Sequence, residues 1–250
     1  MKKVLITGAR SGIGLRTGLD LEKLGYNVVL SVHNELELKE LDKKLQKMNS
    51  SIKVIKLDIL NEADLNKIFD LDIDILVNNA GVGIGGSLIN IDTDLIVENF
   101  KTNVIGTLKV SRKFLASLYL NKKPGKIIFI GSLAGIIPIS YMASYSITKA
   151  AIHIMSKILK KEIKLTKMDT QVKLIEPGIY NTGFNDFMFD FLENQESLKR
   201  KQIFKLIGKD KLKGVSKTIV KSIESESNKL IYRTNIFDSL LIKVYNLFFS

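Results

Sequence analysis

Tyr145 and Lys149 stand four residues apart in a 250-residue chain, a spacing that puts a phenol and an ammonium on one face of a helix. A phenol can donate or accept a proton, but its ordinary pKa of ~10 suits neutral pH poorly. An adjacent ammonium stabilises the phenolate, so the pair is expected to hold Tyr145 below that value. Spacing alone does not single this pair out, because Tyr119 and Lys123 repeat it. Context does. Tyr119 ends a long helical stretch just before Pro124 and reads as packing. Tyr145 opens a helix after the apolar run KIIFIG, with Ser132 where that run ends. In open α/β sheets ligands bind at that edge of a strand.

What the chain lacks excludes other chemistries. It has no Cys, so disulfides, thiol nucleophiles, iron–sulfur clusters and Cys-ligated zinc are ruled out. Its two His, His33 and His153, lie far apart, and no metal site is expected; His153 reads as a packed helix residue. Chemistry must come from Ser, Tyr, Lys, Asn and carboxylates, or from a bound cofactor. The formal charge of +12 favours anionic partners without choosing among them. No secretory leader or apolar run of spanning length is visible, and a cytoplasmic protein is expected.

The elements that position these residues follow from the apolar pattern. The runs KKVLIT at 2–7, NVVLSV at 27–32, IKVIKL at 52–57, IDILVN at 73–78, KIIFIG at 126–131 and VKLIE at 172–176 read as strands buried on both faces. Helical stretches near 12–24, 35–48, 61–70, 92–119 and 143–167 alternate with them. Such alternation predicts an α/β fold, a doubly wound parallel sheet in a single domain. After 178 the alternation breaks down. Phe184, Phe187, Met188, Phe191 and Leu192 form an aromatic helical face, residues 199–221 hold nine Lys/Arg against Asp210, and the end is apolar. The basic run reads as a solvated face.

The loop TGARSGIG at 7–14 joins the first strand to the first helix. Gly8 permits a tight turn, Gly12 lets backbone approach a pyrophosphate, and Gly14 lets the helix pack close to the sheet. The helix N-terminus supplies free N–H groups for that phosphate. The second strand ends in Val32-His33-Asn34 with no acid to grip a ribose 2′-hydroxyl. With Arg10 in the loop and His33 nearby, NADP(H) is favoured over NAD(H).

At this point the chain resembles the short-chain dehydrogenase/reductase superfamily in its compact branch, over about residues 2–182. The resemblance implies a Rossmann-type fold and a cofactor loop that includes Gly8, Arg10, Ser11, Gly12, Ile13 and Gly14. It implies an adenine contact at Asp58 with Ile59 beside it, and cofactor contacts at Asn79, Ala80 and Gly81 of NNAG. Pro177, Gly178, Ile179 and Thr182 of PGIYNT match the loop that holds the nicotinamide. Asn103, Ser132, Tyr145 and Lys149 fill its four catalytic positions. Tyr145 is then the proton donor, Ser132 the hydrogen-bond partner of the substrate oxygen, Lys149 the holder of the nicotinamide ribose, and Asn103 the anchor of a water on the proton path. Taken singly, Asn103 reads as a turn or helix kink, Ser132 as a strand-end cap and Lys149 as a solvated lysine. The segment 183–215 is expected to form a substrate lid within the one domain, 1–250.

An NADP-linked carbonyl reductase or alcohol dehydrogenase acting on a small apolar or lipid-like molecule is the reading these residues support. A dinucleotide-binding regulator without turnover, and a membrane- or anion-binding protein on the same fold, are the alternatives; nothing in residues 1–180 requires nucleic acid. The resemblance also implies a homodimer or homotetramer through helices 92–119 and 143–167. The apolar C-terminus could touch a membrane surface.

Overall fold

A computed structural model describes residues 1–178, 180 and 212–249. Seven strands form one parallel sheet in the order β3-β2-β1-β4-β5-β6-β7. They are β1 (Lys3–Ile6), β2 (Asn27–Val32), β3 (Lys53–Lys56), β4 (Ile75–Asn78), β5 (Gly125–Ile130), β6 (Thr170–Glu176) and β7 (Ile231–Arg233). Between them run α1 (Gly12–Lys23), α2 (Glu35–Gln46), α3 (Glu62–Asp70), α4 (Thr93–Phe100), α5 (Thr107–Leu120) and α6 (Ala143–Thr166). Then come α7 (Lys213–Glu224) and, after β7, α8 (Ile236–Phe249).

Successive side chains of a strand point to opposite faces, so each face of this sheet needs its own cover. On one, Val4, Ile6, Val28, Leu30 and Ile128 pack with Leu15 and Leu21 of α1, Leu41 and Leu45 of α2, and Val215, Ile219 and Ile223 of α7. On the other, Leu5, Val29, Leu76, Ile127 and Phe129 meet Leu65 and Ile68 of α3, Phe114 of α5 and Ile152 of α6. The strand order reverses between β1 and β4, which opens a crevice beyond their C-terminal ends.

Three features differ from the sequence reading. Residues 92–119 are not one helix: a π-helical turn at Lys101–Gly106 separates α4 from α5 and carries Asn103. The strand–helix alternation does not end at 178, because α7 and β7 continue it. Their signal was hidden under lysines: Lys213, Lys217 and Lys221 face solvent while Val215, Ile219 and Ile223 are buried, and β7 is only three residues long. Tyr119 is 72 % exposed, so it does not pack within this chain. The aromatic face at 184–192, the basic residues up to 211 and most of the expected lid at 183–215 lie outside the described residues. No helix among the described residues is long and apolar enough to cross a membrane.

Candidate active site

The crevice is built first from backbone. The Thr7 hydroxyl, in a residue 1 % exposed, accepts the N–H groups of Asn79 and Ala80 at 3.1 and 3.0 Å. Asn79 Nδ2 donates back to the carbonyls of Thr7 and Gly8 at 2.9 and 2.8 Å. Gly8 sits at φ +61°, and a Cβ there would lie 2.5 Å from Ala80 Cα, so only glycine fits. A Cβ on Gly14 would meet Asn79 Nδ2 at 2.7 Å. TGARSGIG and NNAG are therefore one interlocked unit, and Thr7, missed in the sequence, is its pin.

α1 starts on this unit without a cap. Ser11 makes no side-chain cap bond and the first turn carries no acid, whereas α2 and α3 begin with Asn34 and Asn61 caps and two acids each. Unpaired N–H groups and a bare positive helix end suit a pyrophosphate, so these residues fit a bound dinucleotide.

At the adenosine end the side chains are arranged differently from expectation. Arg10 pairs with Glu37 at 3.3 Å and with Glu40 at 3.2 Å. Glu37 also accepts the backbone N–H of His33 at 3.0 Å. His33 Nδ1 lies 3.8 Å from Asp58, whose carboxylate accepts Leu60 N at 2.9 Å. The guanidinium expected to meet a 2′-phosphate is thus shared between two carboxylates. Glu37 lies three residues beyond the end of the sequence pattern searched for an acid, and the turn into α2 brings it back. Ile59 packs against Gly106, where a Cβ would stand 2.6 Å from its Cδ1.

Ser132, Tyr145 and Lys149 come together at the C-terminal end of β5. Ser132 stands beside the Tyr145 phenol, close enough to oppose the rise in its pKa, and caps the short turn after it by accepting Ala134 N at 3.1 Å. Ser132 is thus a strand-end cap that also stands next to Tyr145. Lys149 is only 8 % exposed, not on a solvated face; its Nζ donates to the Ile130 carbonyl at 2.8 Å and lies 5.5 Å from the Tyr145 ring centroid. Burial pushes the Tyr145 phenol up to about 12, against a smaller lowering by Ser132, and pushes Lys149 down to about 8. The expected lowering of Tyr145 is therefore absent from the protein alone. Desolvation disfavours both charged forms, and the ammonium is directed at a backbone carbonyl rather than the phenol oxygen.

Asn103 joins the group through the π-turn. Its amide pairs with Val82 in both directions, accepting N–H at 2.7 Å and donating to the carbonyl at 2.8 Å. It also donates to Thr148 Oγ1 at 3.1 Å, and Thr148 in turn donates to the Tyr145 carbonyl at 2.8 Å. A side chain tied to the loop after β4 distorts the helical ladder, so Asn103 sits at a kink, as read singly from the sequence. Gly135 lets the turn after Ser132 lie on α6, since a Cβ there would be 2.5 Å from the Lys149 carbonyl carbon. Gly135→Ala must push Ser132 away from Tyr145. Its turnover is expected to fall about 100-fold with dinucleotide binding unchanged, checked by steady-state kinetics beside a cofactor titration.

On the far side of Lys149, His153 is not simply packed. Its Nδ1 lies 2.6 Å from Glu176, a carboxylate that also accepts Arg233 at 3.0 Å. That knot fixes the end of β6, where the Pro177 carbonyl accepts Leu133 N at 3.0 Å and Gly178 lies against Asp238 of α8. Ile179 and Thr182 lie outside the described residues.

Residues 2–192 match the model of the short chain dehydrogenase family. This chain belongs to that family. It is 29% identical over 251 residues to the NADP-dependent 3-hydroxy acid dehydrogenase of Schizosaccharomyces pombe, covering 95% of this chain and 93% of that one. It is 30% identical over 207 residues to the oxidoreductase YxnA of Bacillus subtilis, which covers 80% of this chain and only 58% of that relative's length. Its fold superposes on a short chain dehydrogenase/reductase from Burkholderia phymatum in complex with NAD, with a TM-score of 0.86 and 21% identity. That alignment covers 98% of this chain and 93% of the other. As a short-chain dehydrogenase the chain is an oxidoreductase on a Rossmann-type sheet.

Proposed function

We propose that this short-chain dehydrogenase is an NADP-linked oxidoreductase that interconverts a carbonyl and a secondary alcohol. The observation that carries the reading is the cluster of Ser132, Tyr145 and buried Lys149, whose Nζ lies 5.5 Å from the Tyr145 ring centroid, at the sheet edge where the uncapped α1 begins. The dinucleotide supplies or accepts the hydride. Tyr145 gives its proton to the oxygen that becomes the alcohol, and Ser132 donates a hydrogen bond to that oxygen as charge grows on it. Lys149 would hold the nicotinamide ribose and, with Asn103, border the proton path. A small apolar or lipid-like substrate suits the aromatic residues at 184–192.

Magnitudes support the preference for NADP(H). Arg10 is more than half exposed in its pairs with the partly covered Glu37 and the half-exposed Glu40, and surface pairs of this kind contribute about 0–1 kcal/mol. Charge-assisted bonds from a guanidinium to a phosphate are worth about 1.5–3 kcal/mol, so a 2′-phosphate can draw Arg10 away. A relative named as NADP-dependent supports the same choice. Glu37 works against it. Glu37→Gln is expected to tighten NADPH about 3- to 10-fold and Arg10→Ala to weaken it about 10-fold, each leaving NADH within twofold. Fluorescence titrations at fixed ionic strength check both, and equal changes for the two cofactors would refute the role of Arg10.

Self-association rests on α5 and α6. Leu108, Leu115, Ile154 and Ile158 line an apolar cavity of about 370 Å³ between them, and Ile154 and Ile158 are half-exposed. A homodimer or homotetramer would cover them. Peripheral membrane contact would rest on α8, whose outward Leu240, Val244 and Leu247 flank exposed Lys243.

A further inference from the structure

We infer that Asn99 is a positioning residue for the active site, acting on Asn103 and on the first turn of α6 at once; the inference rests on the reductase reading. Asn99 is 0 % exposed and stands one turn before Asn103, in the last turn of α4 before the π-helical segment. Its Oδ1 accepts Asn103 Nδ2 at 2.6 Å, and its Nδ2 donates to Ser144 Oγ at 2.8 Å. Ser144, also 0 % exposed, precedes Tyr145 directly. One carboxamide thus ties the turn that carries Asn103 to the turn that carries Tyr145.

The donor count shows why this bond matters. Asn103 Nδ2 has two hydrogens and three oxygens within reach: Asn99 Oδ1 at 2.6 Å, the Val82 carbonyl at 2.8 Å and Thr148 Oγ1 at 3.1 Å. The Thr148 hydroxyl spends its own hydrogen on the Tyr145 carbonyl, so it can offer Asn103 only a lone pair. Asn103 Oδ1 is held by Val82 N–H. The shortest of the three acceptors is Asn99. Without it the Asn103 amide keeps the Val82 pair, and its second hydrogen is left with the longer contact to Thr148 Oγ1 alone. Ser144 loses its donor at the same moment. Asn99 is buried, touches neither crevice nor solvent, and pairs with two polar groups that a leucine could not satisfy. Bonds of this kind in a buried network fix one geometry among several of similar packing.

The test compares Asn99→Leu, close in volume but without hydrogen bonds, with Asn99→Asp. A carboxyl group at 99 accepts from Asn103 in either protonation state, and either donates to Ser144 or accepts the Ser144 hydroxyl hydrogen, so both ties survive. For Asn99→Leu we expect kcat to fall 10- to 100-fold with NADPH affinity, by direct titration, within twofold. Asn99→Asp is expected to stay within about threefold of the parent in both. Amide hydrogen exchange is read on the same samples and needs no substrate. Asn99→Leu should lose protection in 82–83 and 143–148 while β1, β2 and β4 keep theirs, and Asn99→Asp should lose none. If Asn99→Leu does not fold, Ser144→Ala removes one arm and should lower kcat with exchange rising in 143–148. A folded Asn99→Leu, or failing that Ser144→Ala, with kcat within twofold and unchanged exchange would overturn the inference. So would kcat and NADPH affinity falling together, which marks a structural role alone. If the parent enzyme turns over no carbonyl, the reductase reading fails, and the exchange pattern still decides whether Asn99 holds Asn103.

Discussion

Tyr145→Phe is expected to lower carbonyl reduction by about 1000-fold or more, with NADPH binding within twofold of the parent. The substitution removes one oxygen and leaves the ring, so the ring's packing against Lys149 at 5.5 Å is kept. It takes away the phenolic proton that stands beside Ser132 at this edge. No other described side chain in the cluster replaces it: Ser132 is a far weaker acid, and Lys149 is directed at the Ile130 carbonyl. A regulator that binds dinucleotide without turnover would show no such loss, because it has no turnover to lose. Parallel measurement of NADPH oxidation and NADPH binding separates the two. Tyr119→Phe, at the second Tyr–Lys spacing, is expected to change neither.

Lys149→Met should also abolish turnover, but it should make the protein more stable at pH 7. Burial holds Lys149 at about 8, below the ~10.4 of a lysine in an unfolded chain. Between those values the unfolded chain binds more protons than the folded one, so this lysine makes stability rise with pH across that window. Below about pH 8 its cost is felt in full, and above about pH 10 it is gone. A gap of more than two pKa units corresponds to about 3 kcal/mol, and the lost bond to the Ile130 carbonyl returns about 1 kcal/mol of it. The net gain of about 2 kcal/mol should raise the melting temperature at pH 7 by about 4–8 °C, shrinking towards zero at pH 10. Thermal melts at both pH values check this. A less stable variant at pH 7 would mean that the ammonium is better solvated than its burial implies. Stability given up at such a position is the usual signature of a functional site.

The six strands up to Glu176 were legible because a parallel strand buried on both faces leaves an uninterrupted run of Val, Ile and Leu. Both glycine turns were legible too, since close approach of backbone admits no other residue. What was missed has a common cause: it depends on side chains meeting across the chain. Glu37 sits inside an ordinary charged helix, and only the turn after β2 brings it to Arg10. Asn99 belongs to a run that reads as one helix until Asn103 finds Val82 and the ladder widens. Thr7 opens the glycine motif in the sequence, and only the fold shows that its hydroxyl joins 7–14 to 78–81. Sequence puts Lys149 on one helical face with Tyr145 but leaves its burial unread, because spacing shows which groups share a face and not how much water surrounds them. β7 and α7 escaped because a three-residue strand and a lysine-rich helix carry weak apolar signals.

The most direct measurement is a binding titration of the purified protein with NADPH and with NADH at one ionic strength. The uncapped start of α1, the Gly8–Ala80 contact and Arg10 together predict saturable binding of both, with NADPH the tighter. Tighter NADH would overturn the role given to Arg10 and leave the oxidoreductase standing; binding of neither would contradict the account at its root.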